Sequence, residues 1–197
     1  METKLKIIAE LEKGHEGIHL REISRLVKTG LPNVKRFLEI LEEEKVVKRE
    51  KEANLVKFKL RESQTTIAYL KQTNTQKFIL LPVKIQNAVT DFLNELEEKP
   101  VIALIFGSYA KGNYAKESDT DVLLVFQKLE NAKDIENTAK RISMRTNTKI
   151  NPVYVNYKGF EKNFLDKNHD FSKEIRQDVI IIFGVEHYYK LLWGFLK

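Results

Sequence analysis

Along this chain the apolar positions first recur at helical spacing, then alternate, and near the middle fuse into solid runs. Leu5, Ile8 and Leu11, with Ile7, predict a helix that ends near Gly14. The segment His19–Val27 reads as a second short helix closed by Thr29 and Gly30, and Pro32 suits the first turn of a third. In that third helix, Leu31–Glu44, Val34, Phe37, Leu38 and Leu41 fall at i, i+3, i+4 and i+7, which gives one apolar face. Two strand-like runs follow, Val46–Arg49 and Leu55–Leu60, joined near Ala53 and Asn54. In the second run Val56, Phe58 and Leu60 alternate with Lys57, Lys59 and Arg61, the pattern of a half-buried hairpin strand.

Residues 62–81 read as a connector: Ile67, Tyr69 and Leu70 suggest a helix, while Gln72 to Gln76 is polar and turn-like. From Pro82 onward, Val83, Ile85, Val89, Phe92, Leu93 and Leu96 line a long helix that ends at Glu98. Val101–Phe106 is an unbroken apolar run of strand length, the mark of a strand covered on both faces. A second such run, Val122–Phe126, precedes a helix over Ala132–Thr146 and a third strand over Ile150–Val155. The rest of the chain predicts two or three helices around a short apolar strand at Val179–Phe183. The expected fold class is α/β (α+β): residues 1–61 form one domain and residues 82–197 another, with a small mixed sheet flanked by helices.

The chemistry concentrates between the first two apolar runs. Gly107 and Ser108 end the first strand abruptly, and Asp119 and Asp121 open the second. Side chains alternate along a strand, so the two carboxylates point the same way. They repel unless a cation sits between them. An ordinary turn would also use Ser118, Asp119 and Thr120. The pairing of a small turn with an Asp-x-Asp suggests more. Backbone N–H groups and a hydroxyl suit phosphate oxygens, and paired carboxylates suit Mg²⁺, which commonly joins carboxylates to substrate phosphates.

Gly107-Ser108, ten intervening residues, then Asp119-Thr120-Asp121 resembles the nucleotidyltransferase superfamily that includes DNA polymerase β, and within it the minimal nucleotidyltransferase branch. Lys111-Gly112 stands where such proteins often carry Arg-Gly. The resemblance implies catalytic, metal-binding carboxylates at Asp119 and Asp121, with Mg²⁺ or Mn²⁺ as cofactor. It implies a nucleotide site at Gly107, Ser108, Lys111 and Ser118, an NTP (ATP first) as substrate, and a hydroxyl acceptor. A protein hydroxyl, an RNA end and a small molecule all remain open as acceptor; some minimal nucleotidyltransferases act as antitoxins on partner proteins. Many members carry a third aspartate on the third strand. Here the comparable position is Asn151, which is neither a general base nor a good Mg²⁺ ligand beside carboxylates. Glu117, Asp134 and Glu161 are the acidic residues that remain to take its place.

The order helix, helix, turn, helix, hairpin over residues 1–61 resembles a winged helix-turn-helix domain. That likeness implies double-stranded DNA as a partner, or alternatively a dimerisation or docking module. For DNA, Asn33, Lys35 and Arg36 lie on the early face of the recognition helix, and Lys48, Arg49, Lys51, Lys57 and Lys59 give a basic wing. Charge supports this only mildly. Residues 1–61 hold 15 Lys and Arg against 11 Asp and Glu, and the remainder 19 against 17. The rival to an enzyme is thus a DNA-binding regulator whose second domain senses nucleotide or forms a homodimer.

Bulk properties narrow the class without choosing between these. Apolar content of 42% with 31% charged residues is globular. No apolar run approaches the ~20 residues of a membrane span, and the mixed-charge N-terminus is not a signal peptide. With no cysteine, disulfides and Cys-based zinc sites are excluded, and a cytoplasmic location is expected. The four histidines show no metal-binding spacing. Lys140, Arg141 and Arg145 read as a solvated helix face, and the tail aromatics Tyr188, Tyr189 and Trp193 as core or subunit contact rather than a base-stacking site.

Overall fold

The structure, a computed structural model, describes residues 2–52 and 55–197. The turn expected near Ala53 and Asn54 lies outside the described residues. The chain divides into two compact units, Met1–Gln76 and Lys77–Lys197.

In the first unit, α1 (Thr3–Lys13) buries Leu5, Ile7, Ile8 and Leu11 and stops at Gly14, whose N–H donates to Glu10 O. β1 (Ile18–His19), α2 (Leu20–Leu26) and α3 (Leu31–Glu43) follow, then the hairpin β2 (Val47–Glu52) and β3 (Leu55–Leu60). The three strands form an antiparallel sheet in the order β1-β3-β2. The face of α3 is apolar as its spacing predicts: Val34, Leu38 and Leu41 are buried and Phe37 half-buried. β1 was not legible, because two residues are too short for any periodicity to register. It pairs Ile18 with Phe58, the one residue of β3 that is fully buried. Val56, expected on the inner face, is instead 42% exposed. Burial fades along β3 toward Leu55 and Val56, which pair only with the end of β2.

The segment expected as a connector is a continuous helix, α4 (Gln64–Ile79), and the turn read at Gln72–Gln76 does not occur. The polar residues there are helical because they satisfy themselves. Thr73 Oγ1 and Asn74 Nδ2 both donate to Leu70 O at 2.9 Å, so they can be buried without breaking the helix. The start of α4 is tied to the first unit by Ser63 Oγ on Lys45 O and Thr66 Oγ1 on Val46 O.

The second unit is built on a four-stranded sheet. α5 (Val83–Glu95) leads into β4 (Ile102–Phe106), α6 (Gly107–Lys111), β5 (Thr120–Phe126), α7 (Ala132–Thr146) and β6 (Ile150–Asn156). α8 (Tyr157–Leu165), α9 (Asp170–Gln177), β7 (Ile180–Phe183) and α10 (Val185–Phe195) complete it. The strand order is β6-β5-β4-β7; β4 runs antiparallel to β5 and β7, and β5 runs parallel to β6. The parallel pair needs a crossover, which α7 supplies.

Every residue of β4 is buried, as a solid apolar run requires. One sheet face, with Ala103, Ile105, Val122, Leu124 and Phe126, packs under α5 and α7 through Ile85, Val89, Phe92, Ile135, Ala139 and Ile142. Burying each such large side chain contributes about 1.5–3 kcal/mol. Val83, expected on the apolar face of α5, begins that helix and is 67% exposed. Arg141 and Arg145 on α7 pair with Glu95 and Asp91 of α5, which makes them a brace between helices. Tyr188 and Tyr189 are buried, with the Tyr188 hydroxyl donating to Ile175 O at 2.7 Å, so neither is offered for base stacking.

Candidate active site

Three backbone events bring the site together at one end of the sheet. β4 stops at Phe106, which pairs with Asp121 across the antiparallel ladder. Gly107 then turns the chain into α6 with φ +69°, a left-handed conformation that favours glycine. The parallel register of β5 and β6 sets Asn151 opposite Asp121, and Thr120 N–H donates to Lys149 O at 2.8 Å. Asp121, Gly107, Asn151 and Lys149 are neighbours because of strand pairing rather than closeness in sequence.

The approach of Gly107 to Asp121 is close. A Cβ on Gly107 would stand 2.4 Å from Asp121 Oδ2 and 3.3 Å from its Cγ. Asp121 Oδ1 accepts from Asn151 Nδ2 at 2.8 Å. Asp119 Oδ2 accepts from Lys149 Nζ at 2.5 Å. The charge repulsion expected between the two aspartates is therefore eased from within the chain, by an ammonium group on one carboxylate and an amide on the other. Lys149 had no signal in the sequence, because its place depends on the register of β6 against β5.

The other expected nucleotide-site residues are present with partners of their own. Lys111 Nζ is bound to Glu174 Oε1 of α9 at 2.5 Å, and that carboxylate holds the lysine pKa above its usual value. Ser118 Oγ accepts from Ala115 N–H at 2.8 Å and closes the loop before β5. Of the acidic residues weighed for a third ligand, Asp134 is at the far end of β5. It accepts from Glu97 N–H and adjoins Asn131, about 20 Å of strand away. Glu117 lies beside Ser118 and Asp119 in the lining of a cavity of about 630 Å³. Glu161 is on α8, close enough to Tyr157 to raise its hydroxyl pKa further after burial. Among the described residues no group of three His, Cys, Asp or Glu side chains converges on a metal-sized site. The Asp121 carboxylate against the bare Cα of Gly107, with the Asp119 carboxylate two residues earlier in the chain, fits a Mg²⁺ ion that completes its shell with phosphate and water, the usual manner of binding this ion.

In the first unit, Asn33, Lys35 and Arg36 are exposed at the start of α3. The basic groups of the hairpin are largely committed to acids. Glu50 takes Lys48 at 2.6 Å and Lys59 at 2.7 Å, which together pull its pKa down to about 2. Arg49 is held by Glu42 at 2.6 Å. Lys35 stands 3.9 Å from Glu39. Glu44 turns away toward Lys4 and the Tyr69 hydroxyl, both at 2.7 Å.

The family model Polymerase beta, Nucleotidyltransferase matches residues 87–183, a span that holds the whole four-stranded sheet and all the residues grouped above around Asp121. A protein of Methanocaldococcus jannaschii, provisionally named a protein adenylyltransferase, is 31% identical over 88 residues. The match covers 43% of this chain and 88% of that relative. The chain belongs to the polymerase beta nucleotidyltransferase family. Nucleotidyl transfer from an NTP with divalent metals is the general chemistry of polymerase beta nucleotidyltransferases. The site described here has the two carboxylates and the glycine turn, with the Asn151 amide donating to Asp121. No helix among the described residues is long and apolar enough to cross a membrane.

Proposed function

We propose that this protein transfers a nucleotidyl group from ATP, with Mg²⁺, to a hydroxyl of a protein acceptor. The observation that carries the reading is Asp121 on β5, set against the bare Cα of Gly107, with Asp119 immediately before that strand. Asp119 and Asp121 would hold the metal, which supplies charge neutralisation at the phosphates. The turn at Gly107 and Ser108 offers N–H groups and a hydroxyl to the phosphate chain, and Lys111 adds a cation once it leaves Glu174. In the transfer, the acceptor oxygen forms a bond to the α-phosphorus, the bond from that phosphorus to the bridging oxygen breaks, and pyrophosphate departs. Asn151 holds Asp121 in place through its amide and takes no proton, so the proton of the acceptor hydroxyl passes to solvent. The name of the archaeal relative supports both ATP and a protein acceptor.

Labelled-ATP transfer and isothermal titration of Mg-ATP test this reading on the wild type and the Asp119→Asn, Asp121→Asn double variant. The expectation is metal-dependent binding and transfer in the wild type, with transfer reduced at least 10³-fold in the variant. Full transfer by the variant would sink the proposal.

A second reading concerns the first unit alone. Three helices and a hairpin, with Asn33, Lys35 and Arg36 exposed at the start of α3, support a winged helix-turn-helix that docks on duplex DNA. The ion pairs of Lys48, Lys59 and Arg49 weigh against strong phosphate contact by the hairpin. Duplex binding measured against salt concentration decides it, because real phosphate contacts make log K fall linearly with log salt.

A further inference from the structure

The cavity that shares Ser118 and Asp119 with the carboxylate site is lined by groups of a particular kind. Its walls come from the start of α5, the loop before β5, the end of α7 and the approach to β6. Three lysines face it, Lys84, Lys116 and Lys149, against two acids, Glu117 and Asp119. Asp119 is already matched by Lys149. Among the described residues, the ammonium group of Lys84 has only the Lys116 carbonyl, at 3.3 Å, and Lys116 makes no ion pair.

The neutral hydroxyls in the lining are committed elsewhere. Ser143 Oγ donates to Ala139 O and accepts from Ile150 N–H; Ser118 Oγ accepts from Ala115 N–H; Thr148 Oγ1 donates to Thr146 O. Beside the Asn147 amide and the Glu117 carboxylate, the groups left to read a ligand are ammonium ions, which outnumber the acids of the lining and favour an anion.

The same lining separates two kinds of anionic acceptor. A single-stranded nucleic acid binds by stacking its bases on aromatic rings, and none of the eleven lining residues is aromatic. A phosphate chain also carries a charge at every step, which Glu117 would oppose. A peptide carries acids only at some positions and presents amides elsewhere. At about 630 Å³ the cavity has the capacity of an ordinary ligand site.

We infer that this cavity seats an acidic peptide segment of the acceptor, with Lys84 and Lys116 reading its carboxylates and the adjoining hydroxyl delivered to Asp119. The inference rests on the nucleotidyl-transfer reading for its purpose, and on the cavity alone for its binding claim. It also gives Lys149 a part: a peptide carboxylate that reaches Lys149 competes with Asp119 for the ammonium group, so docking of the acceptor loosens the internal ion pair.

The test uses the full chain and a fluorescein-labelled peptide, Ala-Asp-Glu-Tyr-Glu-Asp-Ala, followed by fluorescence anisotropy at low salt. A control peptide carries Asn and Gln for the acids, and unlabelled hexa-adenylate RNA serves as competitor. The protein variants are the wild type and Lys84→Met with Lys116→Met, two exposed positions whose change leaves the core intact; a thermal melt verifies folding. Saturable binding to the wild type is expected, at least tenfold weaker for the variant and for the neutral peptide, with Mg-ATP affinity within twofold. Absence of saturable binding to the wild type overturns the inference, as does equal binding by the variant or by the neutral peptide. So does displacement by the RNA at lower concentration than by unlabelled acidic peptide. If peptide binding follows the lysines but Mg-ATP does not bind, the nucleotidyl-transfer reading fails and the cavity assignment stands.

Discussion

Gly107 and Gly112 flank the same short helix, and replacing each with alanine separates two effects that usually arrive together. Both have left-handed backbones, with φ of +69° and +73°. For either one, a Cβ in that region costs about 1–2 kcal/mol of folding free energy. Their surroundings differ. A Cβ at Gly112 meets nothing within 4 Å, whereas one at Gly107 would lie 2.4 Å from Asp121 Oδ2. Ordinary contact needs about 3.4 Å, so the Asp121 carboxylate must retreat by roughly 1 Å, a displacement that costs about 10²-fold when it misplaces a reacting geometry. Gly112→Ala is therefore expected to lower the unfolding free energy by about 1–2 kcal/mol and leave nucleotide transfer within about twofold. Gly107→Ala should show a similar or larger stability loss together with about a 10²-fold fall in transfer.

Urea unfolding and labelled-ATP transfer, run on the same preparations, provide the two readouts. Two results refute the reasoning. If Gly107→Ala keeps full transfer, the carboxylate of Asp121 is not where the chemistry needs it. If Gly112→Ala loses transfer as heavily as Gly107→Ala, backbone strain in α6 rather than the clash with Asp121 governs the site.

Two further perturbations bear on the charges. Lys149→Met removes an ammonium group 2.5 Å from Asp119; a divalent ion about 5 Å from that charge gains about 2 kcal/mol in water, which the mobility of an exposed lysine reduces to about 1 kcal/mol. Mn²⁺ binding, followed by titration or by loss of the free-ion paramagnetic resonance signal, should tighten by about fivefold; unchanged or weaker binding would show that Lys149 does not compete for the metal's carboxylate. Glu50→Gln removes the acid that holds Lys48 and Lys59. The folded pKa of Glu50, about 2, lies below its ordinary value, so its contribution is present above about pH 4.3 and is lost as pH falls toward 2. Because Glu50 is 38% exposed, the loss at pH 7 is at most about 1 kcal/mol, and the gap between variant and wild type in urea should shrink as pH falls through this window; a gap that persists at low pH would contradict the assignment. The same variant frees two hairpin ammonium groups, so duplex DNA binding should tighten and its salt slope steepen if the hairpin touches phosphate, whereas an unchanged slope argues against those contacts.

How much of this was legible in the sequence depends on the range of the interactions involved. The solid apolar runs at 101–106 and 122–126, and the helix at 132–146, announced themselves because each is set by burial along its own length. Strand alternation alone leads one to expect the Asp-x-Asp on one face; of the two, Asp121 lies on β5 and Asp119 just before it. Residues 72–76 misled, because polarity signals a turn only when the polar groups need water, and Thr73 and Asn74 find their acceptor one turn back at Leu70. Val56 and Val83 misled in the opposite direction: alternation and helical spacing give a face but not where along the element the core ends.

The central case is β6. Its existence was readable, and Asn151 could be singled out by resemblance, yet the contact it makes could not. In the sequence, Asn151 is a missing carboxylate, a subtraction from the site. In the fold, the parallel register places it as an amide donor to Asp121 and carries Lys149 onto Asp119 two residues earlier. Seen together, the two residues form a ready-made counterpart to the aspartates: a neutral donor on one and a cation on the other. On the proposed reading, a divalent ion at Asp119 competes with the Lys149 ammonium group for that carboxylate. On that reading, metal loading responds to whatever else attracts Lys149, and the proposed acidic segment of the acceptor in the adjoining cavity is such a group.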